Sequence, residues 1–175
     1  KISRVNLLNL KSPSCDDVNV FDLLPFLFPL YLKRALAQGM YKEYVQKKHN
    51  DSNVKGTIDV SRHIRTNIPF LGKVAYNTRE FSYDNRVTQL IRHTIEHIRR
   101  NYAVGEEIVN SPDVHDMVRE IVDATPSYSM MDRQKVIRDN LKPFAHPYYN
   151  EYGALQNLCL AILRYDQISY GDSDQ

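Results

Sequence analysis

The sequence predicts an α+β fold, with a small antiparallel sheet of about three strands packed among about five helices. Three observations predict it. Between residues 40 and 78 the chain holds short alternating or β-rich runs, separated by glycine, proline and polar breakers. From residue 84 onward the apolar period lengthens to three and four residues, the spacing of helices buried along one face. The composition, 42% hydrophobic and 25% charged with 6 glycines in 175 residues, suits a globular chain with one core.

Each element follows in order. VFDLLPFLFPLYL, residues 20–32, is apolar and reads as a buried helical segment, with Pro25 or Pro29 marking an early turn or a kink. It imitates a signal peptide, but Asp16, Asp17 and Asp22 precede or enter it, Lys33-Arg34 follows, and its length is too short for a bilayer. Gly39 terminates this helix. MYKEYVQKK alternates as a strand does, residues 48–53 read as a turn, residues 54–64 as a second strand, and residues 73–78 as a third. Asp59 is expected on a strand face. Asp84 is expected to cap a helix carrying Val87, Leu90, Ile91, Thr94, Ile95, Ile98 and Tyr102 at helical spacing. Ser111-Pro112-Asp113 opens another helix with a stripe of Val114, Met117, Val118, Ile121 and Val122. Asp132 caps a shorter helix reaching Leu141, and Pro143, Pro147 and Tyr148-Tyr149 form a loop. The last helix shows Leu155, Leu158, Cys159, Ile162 and Leu163 on one face.

Charge is uneven. Residues 1–52 carry a net +3, residues 53–102 a net +5 and residues 103–175 a net −6. A basic middle beside an acidic end suits either mutual attraction within the chain or an anionic partner. Cys15 and Cys159 form no CxxC pair and are read as two buried free thiols in a reducing, cytoplasmic setting.

HTIEH, residues 93–97, spells the inverted zinc-peptidase motif, in which two histidines bind zinc and the glutamate activates water. On a helical wheel the apolar stripe centres near Ile98, and His93 and Glu96 point away from it beside Arg86 and Arg100. The expectation is therefore a solvated basic helix face, with no third ligand in a recognisable motif and no metal. A phosphate-binding G-x-x-x-x-G-K-[ST] loop and a G-x-S-x-G elbow are both missing from the sequence. No acidic residue stands two places before a lysine, the spacing of a common nuclease site; Asp132…Lys135 and Asp139…Lys142 are spaced wrongly. No catalytic residue is assigned.

VKGTIDVSRHIRTN followed by KVAYNTREFSYDNRVTQLIRHTIEHI resembles the McrC family, the nuclease subunits of McrBC-type and LlaJI-type restriction systems. The resemblance is carried by Gly39-Met40-Tyr41, by Lys55 through Val60 with Ile64-Arg65, by Tyr76, Glu80, Ser82 and Asp84, and by YNEYGALQNLCLAIL, over about residues 20–165. Thr57 stands where the family often has a basic residue. Thr88 stands where it usually has an asparagine, with Asn85 close by in another register.

The resemblance implies a docking and activating domain over residues 1–175, with a helix and antiparallel strands in 20–82 and a helical part in 84–165. It implies that such a domain seats on a hexameric McrB-like AAA+ GTPase and stimulates GTP hydrolysis. A PD-(D/E)xK nuclease domain, expected beyond this chain, would cut DNA with magnesium. Within this chain no cofactor is expected, GTP belonging to the partner; DNA is reached through the full complex, and no membrane is involved. Lys55, Arg62, His63, Arg65, Lys73 and Arg79 are the candidate contacts, since guanidinium and ammonium groups suit phosphate and acidic metal-ligand surfaces. The alternative is direct nucleic-acid binding by the same basic strands. Tyr148, Tyr149 and Tyr152 are expected to be core or rim aromatics.

Overall fold

The computed structural model describes residues 20–171, with side chains described to residue 165; Cys15 and Asp16-Asp17 lie outside the described residues. Val20–Leu23 forms a 3-10 turn leading into α1, Leu24–Leu36. Pro25 sits in its first turn, where the N–H that proline lacks would have no intrahelical acceptor. Gly39 ends the helix with φ +91°, its N–H donating to the Leu36 carbonyl at 2.9 Å. The expectation of a buried segment needs correction. Phe28, Leu32 and Ala35 are buried, but Phe21, Leu23, Phe26 and Leu30 are exposed, because one face of the helix meets the core while apolar residues run round it.

The strands differ from the sequence reading in three places, one being that the last strand runs on to Ser82 rather than ending at residue 78. β1 spans Glu43–Asp51, running through residues read as a turn, because it pairs along its whole length with β3, Val74–Ser82. The antiparallel register runs from Glu43↔Ser82 to Asp51↔Val74. Ladder hydrogen bonds are made by the backbone, so polar side chains at residues 48–51 do not stop them. β2 is only Thr57–Ile58, paired antiparallel on the other edge of β3, giving the order β1-β3-β2. The rest of the β-rich stretch forms α2, Val60–Thr66. Asp59 is its N-cap rather than a strand-face residue, its Oδ1 accepting from the Arg62 backbone N–H at 3.0 Å. A cap with good geometry overrides β-branched propensity over so short a segment.

α3 spans Arg86–Asn101. Its cap is Asn85, not Asp84: Asn85 Oδ1 accepts from the N–H groups of Val87 and Thr88, and the Asn85 N–H donates to Thr88 Oγ1 at 3.0 Å. Asp84 instead accepts from Gln89 Nε2 at 2.6 Å and from the Ser127 N–H at 3.0 Å, tying the start of α3 to the distant loop that holds Ser127. α4, Gly105–Val109, was not expected. α5, His115–Ala124, starts after Ser111-Pro112-Asp113-Val114, which forms a turn closed by Val114 and His115 N–H donation to the Ser111 carbonyl. α6 is Arg133–Asp139 and α7 is Glu151–Gly171.

The core is helical. α3 is enclosed on several sides by α4, α5, α6 and α7, and α1 packs on α7. Leu90, Ile91, Ile95 and Ile98 of α3 meet Phe28 and Leu32 of α1, Ile121 of α5, and Leu155, Ile162 and Leu163 of α7 in one cluster. Cys159 is free and buried there, burial pushing its thiol up to about 12. No residue of β1, β2 or β3 belongs to this cluster. The three strands and α2 therefore form an arm attached to the helical body, with Ala75 and Tyr76 buried where α2 packs on β3.

Candidate docking surface

The arm is joined to the body by polar ties. The Tyr152 hydroxyl donates to the Gly39 carbonyl at 2.7 Å and accepts from the Tyr41 N–H at 3.1 Å. Asn85 Nδ2 donates to the Tyr41 carbonyl at 3.1 Å, so the residue that caps α3 also holds the root of β1. Arg86 and Glu43 pair at 3.7 Å across the same joint. Tyr152 is wholly buried and Tyr149 half-buried against Tyr41, the core and rim positions expected of them, while Tyr148 is exposed.

At the far end the loop after β1, α2 and the loop before β3 converge, since Asp51 and Val74 are register partners. The close packing needs a glycine. A Cβ on Gly56 would sit 2.1 Å from the Asn77 carbonyl oxygen. This end collects five of the six candidate basic residues, and their surroundings divide them.

Arg62 and His63 are committed inward. Arg62 Nη2 donates to the Tyr76 carbonyl at 2.7 Å and the His49 carbonyl at 3.1 Å, and its Nε lies 3.7 Å from Asp59. That guanidinium bolts α2 across β1 and β3. His63 Nδ1 accepts from the Ala75 N–H at 3.3 Å and lies 2.9 Å from Asn67 Nδ2. The Arg62 backbone N–H, aided by Asn77 and by the Arg62 and Arg65 charges, holds the Asp59 carboxyl below its usual range.

Lys55, Arg65 and Lys73 are exposed at the tip, Arg65 Nε donating only to the Ser61 carbonyl of its own helix at 3.2 Å. Arg79 is also exposed but lies mid-strand opposite Gln46, over the Tyr44 ring at 5.3 Å, and does not join the others.

Sequence reasoning missed the apolar part of the tip. Val60 and Ile64 of α2, with Ile68, Phe70 and Leu71 of the next loop, are all exposed, Leu71 to 83%. Large apolar groups exposed together at the end that also carries Lys55, Arg65 and Lys73 are unusual on a chain that stays alone. The available signal was Ile68, Phe70 and Leu71 standing within a proline- and glycine-punctuated loop, where polar residues are the rule.

The HTIEH helix also differs from its sequence reading. His93 and His97 are 4% and 5% exposed rather than solvated, because the face read as basic is covered by the 125–130 loop and α6. Glu96 is shared by Arg92 at 3.0 Å and Arg99 at 3.2 Å. Burial, reinforced by Arg133 and Arg92 and opposed by Asp132 and Glu96, lowers the His93 imidazole to about 4. Among the described residues no group of three or more His, Cys, Asp or Glu is placed to hold a metal ion. Among the same residues no helix is long and apolar enough to cross a membrane.

No curated protein matches the chain. Among solved structures it is similar to a chain of the cryo-EM structure of the Thermococcus gammatolerans McrBC complex, with TM-score 0.45 and 16% identity, covering 89% of this chain and 43% of that one. It is similar too to a chain of the refined half-complex from the tetradecameric assembly of Thermococcus gammatolerans McrB AAA+ hexamers with bound McrC, with TM-score 0.46 and 16% identity, covering 89% of this chain and 34% of that one. The chain thus spans less than half the length of either. The family model for the McrBC 5-methylcytosine restriction system component matches residues 2–175, and the chain belongs to that family.

Proposed function

We propose that this chain is the docking part of a McrC-like subunit, seating the tip of its arm on a McrB-like AAA+ GTPase and stimulating GTP hydrolysis there. The whole protein is proposed to cleave DNA through a magnesium-dependent PD-(D/E)xK site outside this chain, with GTP held by the partner and DNA met through the full complex. The observation that carries the docking surface is the exposed cluster of Ile64, Ile68, Phe70 and Leu71 bordered by Lys55, Arg65 and Lys73. Apolar groups of this size supply binding energy when desolvated at the centre of an interface, and the flanking cations suit acidic and phosphate groups around it. Family membership supports the choice of partner.

The test is co-purification with the McrB-like partner in the presence of GTP, together with stimulated GTP turnover. Phe70→Ser combined with Leu71→Ser should weaken docking by about tenfold or more while leaving the melting transition in place, since neither side chain supports the core. A folded double variant that docks and stimulates fully would overturn the assignment. Arg62→Ala is unsuited to this purpose, because it removes the bolt between α2 and the strands.

A further inference from the structure

The β1–β3 ribbon has two unlike faces. On one, the polar groups are satisfied within the ribbon. Lys47 and Glu80 pair at 2.7 Å, His49 Nε2 lies 2.8 Å from Thr78 Oγ1, and the Tyr76 hydroxyl donates to Asp51 at 3.1 Å. The other face carries Tyr44, Gln46 and Lys48 of β1 opposite Phe81, Arg79 and Asn77 of β3. Lys42 and Tyr83 continue it past the strand ends, with Lys42 Nζ 4.0 Å from the Tyr83 ring centre.

This second face holds three cations and no carboxylate. Two carboxylates stand at its ends: Glu43, paired with Arg86, and Asp59, paired with Arg62 and accepting from Asn77 Nδ2 at 3.5 Å. Its aromatic rings are open to solvent, Tyr44 to 64% and Phe81 to 57%, and lie 5.0 Å apart. At its foot the rings border a cleft of about 400 Å³ with Tyr41, His146 and Glu43.

We propose that this face binds single-stranded nucleic acid, bases stacking on Tyr44, Phe81 and Tyr83 while Lys42, Lys48 and Arg79 meet the phosphates. The chemistry favours it on two counts. Exposed aromatics on an open sheet face are the platform on which two or three unpaired bases stack, whatever their sequence. Cations interleaved with the rings, with no acid among them, follow a phosphate backbone. In the free chain Arg79 and Lys42 rest over the rings; an arriving base takes their place and leaves them beside its phosphates. A duplex keeps its bases stacked internally and offers this face only phosphates. The surface is distinct from the arm's tip and does not depend on the docking assignment.

The experiment is fluorescence anisotropy of the chain with a fluorescein-labelled oligo-dT strand, with a duplex of equal length, over a salt series. The expected result is binding of the single strand in preference to the duplex. The logarithm of affinity should fall against log salt with a slope of about 2, from three phosphate contacts at roughly 0.7 each. Tyr44→Ala with Phe81→Ala should weaken it by on the order of tenfold or more, and Tyr44→Phe with Phe81→Tyr should retain it. Lys42→Gln with Arg79→Gln should lower the slope by about 1.4. Thermal melts should show the alanine variant folded, as expected of exposed side chains. No binding at low salt overturns the proposal, as does equal preference for duplex or full affinity in the folded alanine variant. Loss of partner docking by that variant, with no strand bound by the parent chain, would make the face a protein surface and also overturn it.

Discussion

His93 shows how one buried side chain couples this fold to pH. Its ring is enclosed beside Tyr128 at a centroid distance of 4.7 Å, and the folded chain holds it neutral down to about pH 4. The unfolded chain protonates it near 6.5. Above that pH both states are neutral and nothing is lost. As pH falls from 6.5 toward 4 the unfolded chain takes up a proton that the folded one refuses, so stability declines by about 3 kcal/mol in all. Urea melts of the parent chain at pH 7, 5.5 and 4.5 should show this decline, and His93→Gln should flatten it in that window. Parallel profiles for the two proteins would remove His93 as the cause. The HTIEH string thus marks packing: each residue type is the one a zinc peptidase needs, but Glu96 is held by two arginines and the histidines face protein.

Among the elements, β2 and α2 are the most demanding, because they are short and depend on single residues. Two paired residues and one helix of two turns cannot persist unaided. Asp59 caps α2, Arg62 bolts it down, and Gly56 lets the chain pass the Asn77 carbonyl. Gly56→Ala places a methyl group against backbone that cannot move aside, so β2 must lift from β3. The expected outcome is rapid protease cleavage between residues 51 and 73 with the helical body's thermal transition nearly unchanged, since no residue of the helical cluster lies in the arm. Limited proteolysis with mass spectrometry reads this directly. A protected arm in the variant would show that the close approach relaxes without cost.

The molecule as a whole consists of a dense helical body and an arm held by Arg62, Asn85, Tyr152 and the β1–β3 ladder. These differ in buried apolar area, and so should differ in opening free energy. Under increasing denaturant, amides of β1 and β3 should lose exchange protection before those of α3 and α7, the latter opening only with global unfolding. Simultaneous loss would mean that body and arm are one cooperative unit. An arm able to open locally is consistent with a surface that must fit itself to a partner.

The α+β class, the helical stripes of α3, α5 and α7, the stop at Gly39 and the resemblance that family membership bears out were all legible in the sequence. These are local or periodic signals, readable because spacing in a chain maps directly onto one face of an element. Tertiary structure alone decided which polar groups are free. Arg62 and Arg65 stand three residues apart with the same chemistry. The first is taken up by the His49 and Tyr76 carbonyls, groups distant in sequence, and the second is left to solvent. It also decided that residues 60–66 are a helix, that the basic face of α3 is covered, and that Ile68, Phe70 and Leu71 are exposed. Burial depends on what the rest of the chain brings alongside, which no local pattern contains.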